Sequence, residues 1–195
     1  MDKRIVEREG SRILIPAEYK LLRENLNQNY RIISDVLLNT GMRIVEFWKF
    51  TENRQWYHPS IRVIDLPKEG ACKKEKCTTT NRTIRLTERG CRAIDTMFEV
   101  GVIYRNKDTM RQALMRAAER AGIGTQGINP KMYRKWIISW LVEARKELGI
   151  DALDITSSMG HTEATLKAHY LGVFGCSDTD PDHRDMVEYL KGWKR

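Results

Sequence analysis

Residues 60–87 read SIRVIDLPKEGACKKEKCTTTNRTIRLT, and they decide the class of the fold. SIRVIDL and RTIRLT are short β-branched runs with partial alternation, the pattern of strands. PKEGACKKEKCTTTN between them is polar and lysine-rich. The segment therefore predicts one hairpin with a basic tip. On both sides the hydrophobic period changes to that of helices. Upstream, Pro16 opens a stretch in which Tyr19, Leu22 and Leu26 recur at helical spacing. Ile33, Val36, Leu37 and Thr40 form the next stripe, with Gly41 as its stop and MRIVEFWKF as a short following helix. Downstream, residues 88–122 are predicted helical, with Ala93, Ile94, Met97 and Phe98 on one face and Leu114, Met115 and Ala118 on another. Asn129-Pro130 ends a glycine-rich connector and predicts an N-cap followed by the first helical residue. The helix behind it carries Met132, Trp136, Ile137, Trp140, Leu141, Ala144 and Leu148 as an apolar face, with Trp136 and Trp140 expected in the core. A short amphipathic helix with Met186, Leu190 and Trp193 on one side closes the chain. The expected class is mainly α with a small antiparallel β-sheet (α+β).

Composition narrows the function classes. A chain of 195 residues, 41% hydrophobic and 31% charged, suits one domain with a sizeable core. No apolar run approaches the roughly 20 residues of a membrane span. The start, MDKRIVEREG, lacks the apolar core of a signal peptide, so a cytoplasmic location with no membrane partner is expected. Cys72, Cys77, Cys91 and Cys176 read as free thiols. Cys72 and Cys77 have no second Cys/His pair at ligand spacing, which argues against zinc. The net charge of +8 favours a polyanionic partner.

Several cations occupy informative places. Arg43 follows the helix stop at once, with Glu46 one turn on, so its planar fork can be fixed by a neighbour and still meet two phosphate oxygens. The same spacing also fits an ordinary surface ion pair. Lys131 and Arg134 fall at a helix start, where the exposed N–H groups favour an anion; a solvated basic edge is the plainer alternative. In GHTEATLKAHYLG (160–172), His161 and Tyr170 are nine residues apart and would face opposite sides of an unbroken helix. They can act together only if the helix starts after His161, with Thr162 as its cap, or breaks before Tyr170. His58, His169 and His183 read as surface or packing groups.

Taken in order, these segments resemble the catalytic domain of the tyrosine recombinases, the integrase family. TGMRIVEF looks like the first arginine box, KMYRKWIISWL like the second, and MGHTEATLKAHYLG like the last, so the resemblance spans about residues 16–172. It implies the tyrosine recombinase catalytic-domain fold, of the DNA breaking-rejoining enzyme type. It further implies a site-specific recombinase or integrase that cuts and rejoins double-stranded DNA through a covalent 3′-phosphotyrosine, with no cofactor and no metal. Tyr170 would be the nucleophile, Arg43 and Arg134 the phosphate clamp, and His161 a donor to a non-bridging oxygen, with Glu46 orienting Arg43. The general acid would be a hairpin lysine, Lys76 or next Lys74, counted back from Arg82. Lys68, Lys73, Arg82 and Lys135 would contact the DNA.

Lys131 stands where the family usually has histidine; it can donate to phosphate but cannot accept a proton while charged. That substitution and the tail resemble an archaeal or archaeal-virus branch. The implied organisation is a catalytic domain over 1–175 and an acidic loop and tail helix over 176–195. That tail would either cap its own domain or dock in trans. An N-terminal core-binding domain is expected to be absent, because only residues 1–15 precede the first helix. Self-association is expected as a tetramer on DNA, weak or monomeric without it. The resemblance also leaves room for Tyr170 to be held away from the other groups when no DNA is bound. Two alternatives share these residues: a catalytically impaired DNA-binding relative, and a type IB topoisomerase-like nicking-closing enzyme.

Overall fold

A computed structural model of the chain describes residues 6–8, 10–71, 81–104, 106–170, 174 and 179–193. Residues 72–80 of the lysine-rich tip lie outside them, but its two flanking strands are present. These are β4 (Val63–Leu66) and β5 (Arg82–Arg85), which pair antiparallel with Ile64 opposite Ile84 and Leu66 opposite Arg82. A two-residue strand, β3 (Tyr57–His58), adds to the outer edge of β4, giving the order β3-β4-β5. A second small hairpin, β1 (Val6–Arg8) with β2 (Ser11–Ile13), precedes the first helix.

Ten helices surround these strands among the described residues: α1 (Pro16–Glu24), α2 (Gln28–Thr40), α3 (Ile44–Thr51), α4 (Lys68–Ala71), α5 (Glu88–Val100), α6 (Lys107–Arg120), α7 (Met132–Glu143), α8 (Ala152–Met159), α9 (Glu163–Tyr170) and α10 (Pro181–Leu190). Their boundaries follow local chemistry. Asn27, Thr87 and Asn106 each accept a backbone N–H at the start of α2, α5 and α6, which satisfies a donor with no partner inside the helix. Gly41 ends α2 in a left-handed conformation, as its position predicts.

The single helical region expected over 88–122 is two helices, because Gly101 turns left-handed and Asn106 caps a new start. The expected cap at Asn129 also moves. Asn129 accepts the Lys131 N–H at 3.0 Å, but its amide also donates to Gly127 and Ser11, so it braces the connector against β2. Lys131 becomes the N-cap, and the helix ends at Glu143, not near Leu148.

Helix α7 is the centre of the molecule. It is buried on every side except at Lys135 and Glu143, so its pattern is that of an enclosed helix and not of a one-faced one. Its two indoles are fully buried and hydrogen-bonded, Trp136 to the Arg12 carbonyl at 2.7 Å and Trp140 to the Leu14 carbonyl at 2.9 Å. A buried aromatic with a polar N–H needs such a partner, and here it ties β2 to α7. α10 packs on α1 and α7 of its own chain, burying Met186 and Leu190, with Trp193 just beyond its end. No helix of the described residues is long and apolar enough to cross a membrane.

Candidate functional site

Five segments meet where α2 ends, α7 begins and α8 turns into α9. Glu46, on the first turn of α3, is almost wholly buried. Its carboxylate accepts the Arg43 backbone N–H at 2.7 Å and Arg43 Nη1 at 2.5 Å. It also accepts both terminal nitrogens of Arg82, at 2.8 and 3.4 Å. Arg82 Nη1 donates onward to the Met159 carbonyl at 3.0 Å. Arg134 donates to that same carbonyl through Nη2 and to the Gly41 carbonyl through Nη1 at 2.7 Å. Arg134 Nη2 also lies 2.9 Å from His161 Nε2. The His161 ring stacks on Tyr170, with centroids 5.8 Å apart and planes 22° apart.

Two glycines make this convergence possible. A Cβ on Gly41 would fall 2.5 Å from Met159 Sδ, so only glycine lets the end of α2 approach the end of α8 while holding φ at +61°. Gly160 is also left-handed, and a Cβ there would stand 3.1 Å from the Arg82 guanidinium. The turn it makes separates α8 from α9. Thr162 then caps α9, accepting the Thr165 N–H at 3.2 Å, so the helix begins after His161. Tyr170 side-chain atoms tilt back toward the helix start, as helical side chains do, and meet the imidazole. The nucleophile candidate is therefore against the cluster and not held away from it.

The electrostatics are lopsided. Burial alone would push the Glu46 carboxyl up, but Arg82, Arg134 and Arg43 outweigh it and hold it below the ordinary carboxylate value. Three guanidiniums share that one carboxylate. Burial pushes Arg134 down to about 9, helped by Arg82 and Arg43, yet it remains charged at neutral pH. Burial also lowers Arg82. His161 is pushed down to about 3, by burial first and then by Arg134, Arg43 and Arg82. It is therefore neutral. Because arginine can only donate, Nε2 must accept and the ring proton sits on Nδ1. That Nδ1 is buried without a partner among the described residues. Arg43 is the exposed member, its side chain 39% accessible.

Lys131 is exposed at the start of α7, one turn before Arg134. Lys135 is half-buried on α7. Lys68 is exposed on α4, where its backbone N–H bonds Asn81. Lys73, Lys74 and Lys76 lie outside the described residues. Arg82 departs from its expected role: its side chain is 3% exposed, with both terminal nitrogens on Glu46 or Met159, so it presents no surface contact for DNA. The alternation of RTIRLT held the signal, since Arg82 and Ile84 share the inward face of β5. The carbonyls of Gly41 and Met159 were not foreseen. Nothing in a side-chain pattern marks a backbone oxygen as an anchor.

A separate cleft of about 840 Å³ lies elsewhere, between α1, α2, α5 and α10, and includes Tyr19, Arg23, Asp35, Arg89 and Tyr189. It holds none of the clustered groups.

No family model and no curated protein matches this sequence. Solved structures do. The integrase of transposon Tn1549, bound to its circular intermediate DNA, superposes with a TM-score of 0.64 at 18% identity, over 91% of this chain and 66% of that one. XerA recombinase superposes with a TM-score of 0.61 at 17% identity, over 97% of this chain and 67% of that one. The chain thus spans about two thirds of the length of the solved chains it matches. At this identity the likeness concerns architecture, and it is clear there: a mostly helical domain around a three-stranded antiparallel sheet, the fold of the tyrosine recombinase catalytic domain.

Proposed function

We propose that this chain is the catalytic part of a site-specific DNA recombinase or integrase, cleaving and rejoining strands through a covalent 3′-phosphotyrosyl link. The observation that carries the reading is the charge imbalance at a reactive edge. Arg43, Arg82 and Arg134 surround one carboxylate, and His161 and Tyr170 border them. Buried positive charge in excess is costly unless an anion completes it, and a phosphodiester is such an anion. The two similar solved proteins, one of them bound to DNA, support DNA as the partner.

In this mechanism Tyr170 Oη gives its proton to solvent and attacks phosphorus, and the 5′-oxygen leaves, taking a proton from a hairpin lysine, Lys76 or Lys74. Arg43 and Arg134 donate to the non-bridging oxygens as charge builds on them. His161 donates to the same group through its Nδ1–H, which has no partner among the described residues. Lys131 adds positive charge, and Lys68, Lys73 and Lys135 contact the backbone. A second 5′-hydroxyl reverses the step, and four chains assemble on paired sites. The archaeal affinity of Lys131 and the tail belongs to this reading and rests on resemblance alone.

The test is covalent trapping. Duplexes selected for binding from a random-sequence pool are nicked near the centre and incubated with the full chain. Wild type is expected to form a protein–DNA adduct that Tyr170→Phe does not form. Binding without an adduct would leave a DNA-binding relative. Relaxation of one duplex without exchange between two would mark a topoisomerase-like enzyme.

A further inference from the structure

We infer that Arg82 is a positioning residue that locks the two halves of the site together, gripping Glu46 and the Met159 carbonyl at once so that Arg43 and His161 address the same phosphate. The inference rests on the recombinase reading. Its ground is geometric. One half of the site comprises Arg43 and Glu46 at the start of α3; the other comprises Arg134, the Met159 carbonyl and His161 beyond Gly160. Arg82 joins them, with Nη2 on Glu46 Oε2 at 2.8 Å and Nη1 on Glu46 Oε1 at 3.4 Å and on Met159 at 3.0 Å. Gly160 leaves room for the guanidinium to lie against the turn itself. Both terminal nitrogens of Arg82 are engaged and its side chain is 3% exposed, so its effect passes through those two partners. It also opens β5, the strand that receives the lysine-rich segment.

A planar fork can grip a carboxylate and a carbonyl together; an ammonium cannot hold both in the same geometry. The charged groups facing Glu46 are Arg43 from α3, Arg82 from β5 and Arg134 from α7, with His161 across the same cations. Arg82 is the strongest of them in holding Glu46 ionised. The experiment compares adduct formation on the nicked duplexes by wild type, Arg82→Gln and Arg82→Lys, with DNA affinity measured alongside. Arg82→Gln should lower the adduct rate by about 100-fold, the scale of a misplaced catalytic group, while affinity stays within about threefold of wild type, since no phosphate contact is lost. Its acid limb should also move to higher pH, because Glu46 then protonates more readily. Arg82→Lys should keep the wild-type acid limb but still lose about 10-fold in rate, since charge is retained and geometry is not. If Arg82→Gln does not fold, Arg82→Lys decides the matter alone. An unchanged rate, or a loss that appears only in affinity, overturns the inference. Failure of wild type to form any adduct instead overturns the functional reading.

Discussion

Arg12 and Arg134 are both buried guanidiniums that donate to backbone carbonyls, yet the charge around them differs. Arg12 bonds Glu18 at 2.7 Å and the Ile123 carbonyl, one cation to one anion, where β2 meets α1 and the end of α6. Nearby, Arg23 pairs just as evenly with Asp35, which also accepts the Tyr19 hydroxyl at 2.6 Å. Arg134 has no carboxylate of its own and shares Glu46 with two other arginines. A balanced buried pair is complete within the fold. In the recombinase reading the unbalanced cluster is completed by a phosphate, so the two regions separate what holds the molecule together from what that reading has it bind with.

That contrast breaks most sharply at Arg134. Arg134→Gln should reduce the rate of adduct formation by about 10²- to 10³-fold, the scale of one lost oxyanion donor, measured by single-turnover trapping. An equal loss from Arg12→Gln, assayed while folded, would erase the distinction. Arg12→Ala should act on stability, costing about 3–5 kcal/mol because Glu18 is left buried without its partner. Urea denaturation checks this; a loss under about 1 kcal/mol would show that Arg12 does not complete its site.

The smallest expected effect is a pH dependence. His161 takes up a proton only near pH 3 when folded, but near 6.5 when unfolded. The unfolded state therefore binds more protons between those values, and stability should fall as pH drops from 6.5 toward 3. Glu46, held below the ordinary carboxylate value, adds a further loss below about pH 4.5. In urea melts, His161→Gln should flatten the profile between about pH 6.5 and 4.5 and leave only the Glu46 loss below that. An unchanged upper slope would mean that His161 does not sit neutral among the arginines.

Much of this was legible in the residues. The change of period around residues 60–87 marks the hairpin, and Gly41 marks the end of α2 because only that residue holds the left-handed turn cheaply. Thr162 was one of two ways to reconcile His161 with Tyr170, and the structure uses it. The short β1-β2 hairpin and β3 escaped, since strands of two or three residues carry too little alternation to stand out. Asn129 misled because its amide was drawn to β2, a partner more than a hundred residues away in the chain.

The sequence by itself determined the central hairpin and most of the helices around it, and placed Arg43, Arg134, His161 and Tyr170 at helix ends. Those features depend on neighbours within a turn or two. Only the tertiary structure decided that Arg82 meets Glu46 and Met159, and that Met159 and Gly41 lend their carbonyls to Arg134. Those contacts join residues 25 to 93 positions apart. Their energies depend on which segments are packed together away from water, and local periodicity carries no record of that.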